Sequence, residues 1–254
     1  MTREATRREI SAMCKQLKLS QRILDHCEAV EDPKQEYFLF EVLRSETEHR
    51  DRSRLVKQLN QAAFPYPKHL DDFDDRRIKY PASTSMAELK SLRFIEQSQN
   101  VILYGSVGTG KTHLAIGLGY LACQQGYRAR FYTLADLITQ LSAAQREGRL
   151  ERFMAGVARL DLLILDEWGY IPVDRVGSQL LFRIISDCYE RKSLILTTNL
   201  EFSAWTTIFT DEQMAAALID RLVHHGHLIV CEGPSYRVTN ALMRNETVGG
   251  GADL

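Results

Sequence analysis

Gly105, Ser106, Val107, Gly108, Thr109, Gly110, Lys111 and Thr112 meet every fixed position of the phosphate-binding loop pattern G-x-x-x-x-G-K-[ST]. Glycines at these positions let the backbone curl so that amide N–H groups point inward, and a helix starting at the loop's end adds the positive end of its dipole. Lys111 has the length and charge to reach the β and γ phosphates of a bound nucleotide. Thr112 offers a hydroxyl to Mg²⁺, a hard cation that takes few protein ligands and keeps several waters. The chemistry implied is capture of a nucleoside triphosphate with its magnesium ion. The alternative, a glycine-rich turn before an ordinary helix, leaves the coincidence of all the fixed positions unexplained.

A second group follows the apolar run Leu162, Leu163, Ile164, Leu165, which ends in Asp166 and Glu167. Asp166 is placed to hold Mg²⁺, directly or through water, and Glu167 to orient and polarise the water that attacks the γ phosphate. Two adjacent carboxylates at a buried strand end are costly unless a cation balances them; the bland reading is an acid pair capping the next helix. A third group, Leu194, Ile195, Leu196, Thr197, Thr198 and Asn199, is another apolar strand with a polar end. Asn199 is placed to hold the attacking water or to contact the γ phosphate, although Asn is common at strand ends.

These groups need a scaffold that brings three strand ends together. Val101, Ile102, Leu103 and Tyr104 read as a buried strand entering the loop, and residues 113–123 as a helix leaving it. Strand patterns at 128–133, 162–165 and 193–197 alternate with helical ones at 86–97, 134–158 and 177–189. Such alternation predicts an α/β fold, a parallel five-stranded sheet flanked by helices, with the site at the carboxyl ends of the strands.

Residues 1–66 read instead as a small all-helical domain. Ile10, Met13 and Leu17 share one face, Ile23, Leu24 and Cys27 another, and Asp32-Pro33 is a good start for a long helix. Phe64-Pro65-Tyr66-Pro67 breaks that pattern and the acidic run after it reads as a linker, so the nucleotide domain is expected at 67–245 and a flexible tail at 246–254.

Of the 254 residues, 44% are hydrophobic and 26% charged, as in an ordinary globular protein. No apolar run is long enough for a membrane span and Met1-Thr2-Arg3-Glu4 has no signal-peptide character, so a cytoplasmic protein is expected. Cys14, Cys27, Cys123, Cys188 and Cys231 are odd in number and widely spaced, which predicts reduced core thiols. A net charge of −1 excludes coating nucleic acid by bulk charge, so any such contact must come from local patches or from patches summed over subunits.

The nucleotide motifs, followed by Ala217-Leu218-Ile219-Asp220-Arg221-Leu222 and Ser235-Tyr236-Arg237, resemble the AAA+ ATPases of the initiator and helicase-loader clade. More narrowly, Asp166-Glu167-Trp168-Gly169-Tyr170, Thr198-Asn199-Leu200-Glu201-Phe202-Ser203 and Asp220-Arg221-Leu222-Val223-His224-His225 resemble the IstB family of ATP-dependent transposition helpers. The resemblance implies ATP hydrolysis to ADP and phosphate and a homo-oligomer with ATP sites at subunit interfaces. It also implies assembly on double-stranded DNA with little sequence preference, and a transposase as partner. Arg221 would then be an arginine finger reaching the ATP site of a neighbour; without the family it is one arginine on an amphipathic helix. The clade also implies a helical hairpin at 134–141 and 150–157, with Arg146, Arg149 and Arg152 around its turn as a DNA-contacting patch. Arg50, Arg52, Arg54 and Lys57 form a second candidate patch; a solvated charged face is the alternative for both. The chain ends soon after Arg237, so a C-terminal lid domain is expected to be absent and the role of Arg237 stays open.

Within the same fold a replicative helicase loader is the alternative function. A small-molecule kinase shares the phosphate loop but has no need of Glu167, Asn199 or Arg221. His224-His225-Gly226-His227 suggests a metal site, lacks a convincing fourth ligand, and reads as structural histidines.

Overall fold

The computed structural model describes residues 2–29, 32–170, 172–209 and 211–239. The expected tail at 246–254 and the last six residues of the expected 67–245 domain lie outside the described residues. The chain forms two compact units, Met1–Lys57 and Gln58–Leu254.

The first unit is helical. Helix α1 (Arg3–Leu17) is capped by the Thr2 hydroxyl, and α2 (Arg22–Ala29) follows. The long α3 (Pro33–Ala62) carries the unit boundary within it; Asp32 Oδ1 accepts from the amide of Lys34 where it starts. Ile10, Cys14 and Leu17 of α1 bury against Cys27, Phe40 and Leu43. The spacing of the α1 positions is one stripe of a 3.6-residue period. Glu36 is buried beside them, gripped by Arg3 Nη2 and Arg7 Nη2, each at 2.6 Å. Hydrogen bonds from Arg3 and then Arg7 hold its carboxyl down at about 2. Tyr37, Phe38, Val42 and Val56, apolar positions of the same helix, are exposed.

In the second unit a sheet of order β1-β6-β2-β5-β4-β3 forms from β1 (Ile78–Lys79), β2 (Asn100–Tyr104), β3 (Ala129–Thr133), β4 (Leu162–Trp168), β5 (Ser193–Thr198) and β6 (Gly226–Cys231). The five strands β2 to β6 are parallel, as expected, and two-residue β1 adds an antiparallel edge on β6 that is too short to leave a periodic signal in sequence. Strands β2, β4 and β5 are buried almost end to end, because helices cover both faces.

The helices of this unit are α4 (Met86–Lys90), α5 (Arg93–Glu96), α6 (Lys111–Gln124), α7 (Leu134–Arg146), α8 (Leu150–Ala158), α9 (Arg175–Cys188), α10 (Glu212–His224) and α11 (Tyr236–Thr239). The single helix expected at 86–97 is two short ones, broken where the fully buried Leu92 adopts φ +58. Along the strands, alternate residues serve opposite faces. Ile102, Leu163, Leu165, Leu194 and Leu196 join one core cluster with Leu137 and Leu141 of α7, Ile184 of α9 and Leu218 of α10. Ile164, one position out of phase, meets α6 at Gly119. All five cysteines are buried and free. Among the described residues no helix is long and apolar enough to cross a membrane.

Parallel pairing aligns the carboxyl ends of the central strands. Tyr104 of β2 lies opposite Thr198 of β5, and Asp166 of β4 opposite Thr133 of β3. β2 sits between β6 and β5, so the loop leaving it opens where the strand order reverses, the usual ligand crevice of such sheets.

Candidate nucleotide site

The phosphate loop takes a shape that only glycine tolerates at two positions. Gly105 has φ +153, and a Cβ there would meet the Cys231 carbonyl oxygen at 2.1 Å. Gly108 has φ +81, and a Cβ would meet Ser235 Oγ at 2.0 Å. The loop is therefore closed on its outer side by the segment after β6, and the Tyr236 amide donates to Gly108 O at 2.9 Å. Ser235 and Tyr236 thus brace the loop.

Lys111, at the first turn of α6, is 7% exposed. Its Nζ donates to the carbonyls of Gly105 and Ser106, both at 2.7 Å, so the ammonium lies folded into the loop. Burial pushes its pKa below the ordinary lysine range; Cys231 and Asp166 counter that effect, and the nearby Arg237 charge adds to it. Ser106 and Val107 are exposed, and Thr109 Oγ1 ties back to Ser106 O at 2.8 Å.

Thr112 Oγ1 donates to Asp166 at 3.0 and 3.1 Å from its two oxygens. Two hard oxygen ligands from different elements therefore converge at one point, the donor type that Mg²⁺ takes. The fit is good on chemistry alone: a hydroxyl and a carboxylate, no thiolate, and a loop of backbone amides beside them.

The paired acids depart from expectation in their setting. They do not follow the end of a strand at Leu165; β4 runs on to Trp168, which is fully buried against Trp205 and Phe209 at ring separations of 5.3 and 5.9 Å. Burying Trp168 carries the chain past the acids, and the register with β5 shifts between Leu165 and Trp168. The extra residue is absorbed as a bulge, a device that re-aims side chains. Glu167 adopts φ +62 and is exposed, whereas Asp166 is 5% exposed. A left-handed conformation in a non-glycine residue costs on the order of 1–3 kcal/mol and persists only where the surroundings fix it. The burial penalty expected for both carboxylates falls on Asp166 alone.

What compensates Asp166 is Thr197, a residue the sequence reading passed over. Its buried hydroxyl donates to Asp166 Oδ1 in a short hydrogen bond and accepts from the Glu167 amide at 3.1 Å. One side chain therefore sets both acids. The available signal was a threonine interrupting an otherwise apolar strand. Asn199 follows β5, and its buried Oδ1 has no hydrogen-bond partner among the described residues. A buried orphan acceptor beside these groups suits a bound water or ligand.

Glu167 opens onto two clefts. One, of about 350 Å³, is shared with Thr112 and Asp166 and walled by Arg130 and Tyr132. The other, of about 470 Å³, runs along α7 past Ile138, Ser142 and Arg146 to Tyr170 and Val173.

Lys111, Thr112, Asp166 and Glu167 are thus brought together at the strand ends, with Asn199 just past β5, and Arg221 is engaged elsewhere. Its guanidinium stands over the Phe182 ring of α9 at 5.0 Å and donates to Ala217 O at 2.8 Å. The hairpin is present as α7 and α8, with α7 running five residues beyond the expected 141 and Gly148 making the turn at φ +68. Arg146, Arg149 and Arg152 are all exposed there. Arg149 pairs with Glu147, and Glu151 is taken by Arg183 at 2.8 Å, which leaves Arg146 and Arg152 without an ion pair among the described residues. In the other patch Arg50 pairs with Glu46 at 2.7 Å and Arg54 with Asp51 at 3.6 Å, while Arg52 and Lys57 carry no such pair among the described residues.

The model of the IstB-like ATP binding protein family matches residues 12–243. The putative ATP-binding protein of insertion sequence IS21 from Pseudomonas aeruginosa is 40% identical over 208 residues, covering 79% of this chain and 76% of that protein. Among solved structures, AMPPCP-bound DnaA from Aquifex aeolicus matches with a TM-score of 0.55 at 22% identity, over 75% of this chain and 57% of the DnaA chain. The DnaC helicase loader matches with a TM-score of 0.53 at 23% identity, over 69% of this chain and 99% of that one. At those identities the two structures speak to the fold alone, which is that of the AAA+ P-loop NTPases. With nine-tenths of its length matched by one family model and a relative at 40% identity, the chain belongs to the IstB-like ATP-binding protein family.

Proposed function

We propose that this chain is an ATP-dependent, DNA-binding AAA+ protein that assembles on target DNA and recruits or stimulates a transposase. The observation that carries the enzymatic half is the clasp of Thr112, Asp166 and Thr197 beside the phosphate loop, with Glu167 turned outward on its bulge.

In this reading the loop amides and Lys111 bind the triphosphate of ATP, Lys111 exchanging the Gly105 and Ser106 carbonyls for phosphate oxygens. Thr112 and Asp166 hold Mg²⁺, which supplies positive charge against the phosphates. Glu167 accepts the proton of the attacking water, and Asn199 orients that water through its unpaired Oδ1. Arg221 completes the site from a neighbouring subunit, so turnover follows assembly. Arg221 sits on α10 with its guanidinium held over Phe182 of α9 and on Ala217 O, which supports a role outside its own pocket.

The DNA-binding half is supported by the exposed turn between α7 and α8 and by the cleft that joins Arg146 to Glu167 along α7. A backbone-tracking contact of this kind reads charge and not bases. The relatives' place in insertion sequences favours transposition over helicase loading.

Electron microscopy with ATP, with and without a long duplex, tests the reading. Ordered oligomers on duplex in the presence of ATP support it, with Lys111→Ala failing to bind ATP and Glu167→Gln trapping ATP-loaded oligomers on DNA. Monomers under all conditions, or normal turnover by Glu167→Gln, would count against it.

A further inference from the structure

We propose that Glu190, His224 and His225 form a binding site for a divalent transition-metal ion of the zinc type, separate from the magnesium site. The fold splits the histidine run. His227 is consumed by Thr84 Oγ1 and Gln99 Oε1, both at 2.8 Å, and takes no part. His224 and His225 instead converge, at the end of α10, with a carboxylate supplied by the turn after α9. One ligand atom from each of Glu190, His224 and His225 lies within 4.8 Å of the other two.

The surroundings support a cation here. His225 Nε2 already sits 3.2 Å from Glu190 Oε1, and the two imidazole centroids are 4.2 Å apart. Tyr189 bonds Nδ1 of His224 at 2.9 Å, which fixes the ring and leaves Nε2 as its open nitrogen; such an outer hydrogen bond is what metal-binding histidines usually carry. Glu190 holds φ +55, an uncommon conformation for a glutamate, which keeps its carboxylate at the ends of both helices. The C-terminal end of α10 adds partial negative charge from its last carbonyls.

Two imidazoles and one carboxylate suit Zn²⁺ and its neighbours Co²⁺ and Ni²⁺, whereas Mg²⁺ prefers oxygen alone. Metal–ligand bonds of about 2.0–2.1 Å place tetrahedral ligand atoms about 3.4 Å apart, so these side chains need close by roughly 1.5 Å at most. Both side chains have open space in which to turn for that, Glu190 and His225 being 58% and 40% exposed. With three protein ligands, water takes the fourth position, as in open metal sites. A bound ion would tie the end of α9 to the end of α10. Arg221 lies one turn before His224 and stacks on Phe182 of α9, so the ion would steady the segment presenting Arg221. That consequence rests on the function proposed above; the binding does not.

The test uses the full chain, stripped by chelator and kept in excess MgCl₂, titrated calorimetrically with ZnCl₂ and followed in the visible with CoCl₂. One Zn²⁺ should bind per chain, Co²⁺ should give a tetrahedral d–d band without a thiolate charge-transfer band, and binding should vanish in His224→Gln/His225→Gln. Glu190→Gln should weaken it by at least about tenfold. Retained ATP binding by the variants shows that they fold. Absence of binding by the wild type, unchanged binding by the double variant, or a thiolate band would overturn the proposal.

Discussion

Replacing Thr197 with valine isolates the clasp, because valine keeps the shape and removes only the hydroxyl. That hydroxyl donates to Asp166 and accepts from the amide of Glu167 at 3.1 Å, and the side chain is 2% exposed. A hydrogen bond to a charged group contributes about 1.5–3 kcal/mol, and a buried donor or acceptor left unpaired costs about 1–3 kcal/mol. The Glu167 amide lies at a bulge and its bond to Thr197 is only partly buried, so the combined loss should be about 2–4 kcal/mol in urea denaturation. The functional effect is more specific. Asp166 loses one of the two hydroxyls that orient it, and loss of such an outer hydrogen bond lowers metal affinity by about 10–100-fold. Titration with a fluorescent ATP analogue should therefore show weaker binding in MgCl₂ and unchanged binding in EDTA, with Thr197→Ser restoring the binding in MgCl₂. A valine variant that binds the magnesium complex like wild type, or a serine variant as impaired as valine, refutes the clasp.

Gly108→Ala should weaken ATP binding by tenfold or more, since the new Cβ would lie 2.0 Å from Ser235 Oγ at φ +81; a double-mutant cycle with Ser235→Gly should recover the steric share but not the conformational one. Glu36 titrates at about 2 in the fold against an ordinary value near 4.5, so it stabilises the helical unit fully above about pH 4.5 and ceases to do so as pH falls through 2. Hydrogen exchange of α1 in the full chain should rise over that window, and Glu36→Gln should show the higher exchange already at neutral pH. Neutralising Arg146, Arg149 and Arg152 together should reduce the slope of log affinity for duplex against log salt by up to about 2.7, at about 0.9 per phosphate contact; an unchanged slope removes that turn from the DNA interface.

The phosphate loop and the sheet were legible because both are local: the loop is a contiguous pattern, and strands buried on both faces appear as unbroken apolar runs such as Leu162 to Leu165. The extension of β4 was not legible, because it depends on Trp168 packing against Trp205 and Phe209, contacts distant in sequence. The same contacts separate Asp166 and Glu167 into buried and exposed environments, which adjacency in sequence conceals. Thr197 was missed for a related reason: a threonine suits any strand, and only the register of β4 against β5 puts it beside both acids. The carboxylate that lies beside His224 and His225, that of Glu190, belongs to a different helix end, so the histidine run alone does not show it. Leu92 broke a helix whose periodic pattern ran on, its burial outweighing local preference.

The central claim is that the catalytic site of one subunit is completed by Arg221 of the next. Arg221→Ala and Glu167→Gln should each turn over ATP at background rates, the loss of a finger alone amounting to about 10³–10⁵-fold. Mixed in equal amounts, they should regain roughly a quarter of the wild-type rate, because one interface in four then pairs an intact Glu167 with an intact neighbouring Arg221. A mixture as inactive as its components, or an Arg221→Ala protein with wild-type turnover, would contradict the account.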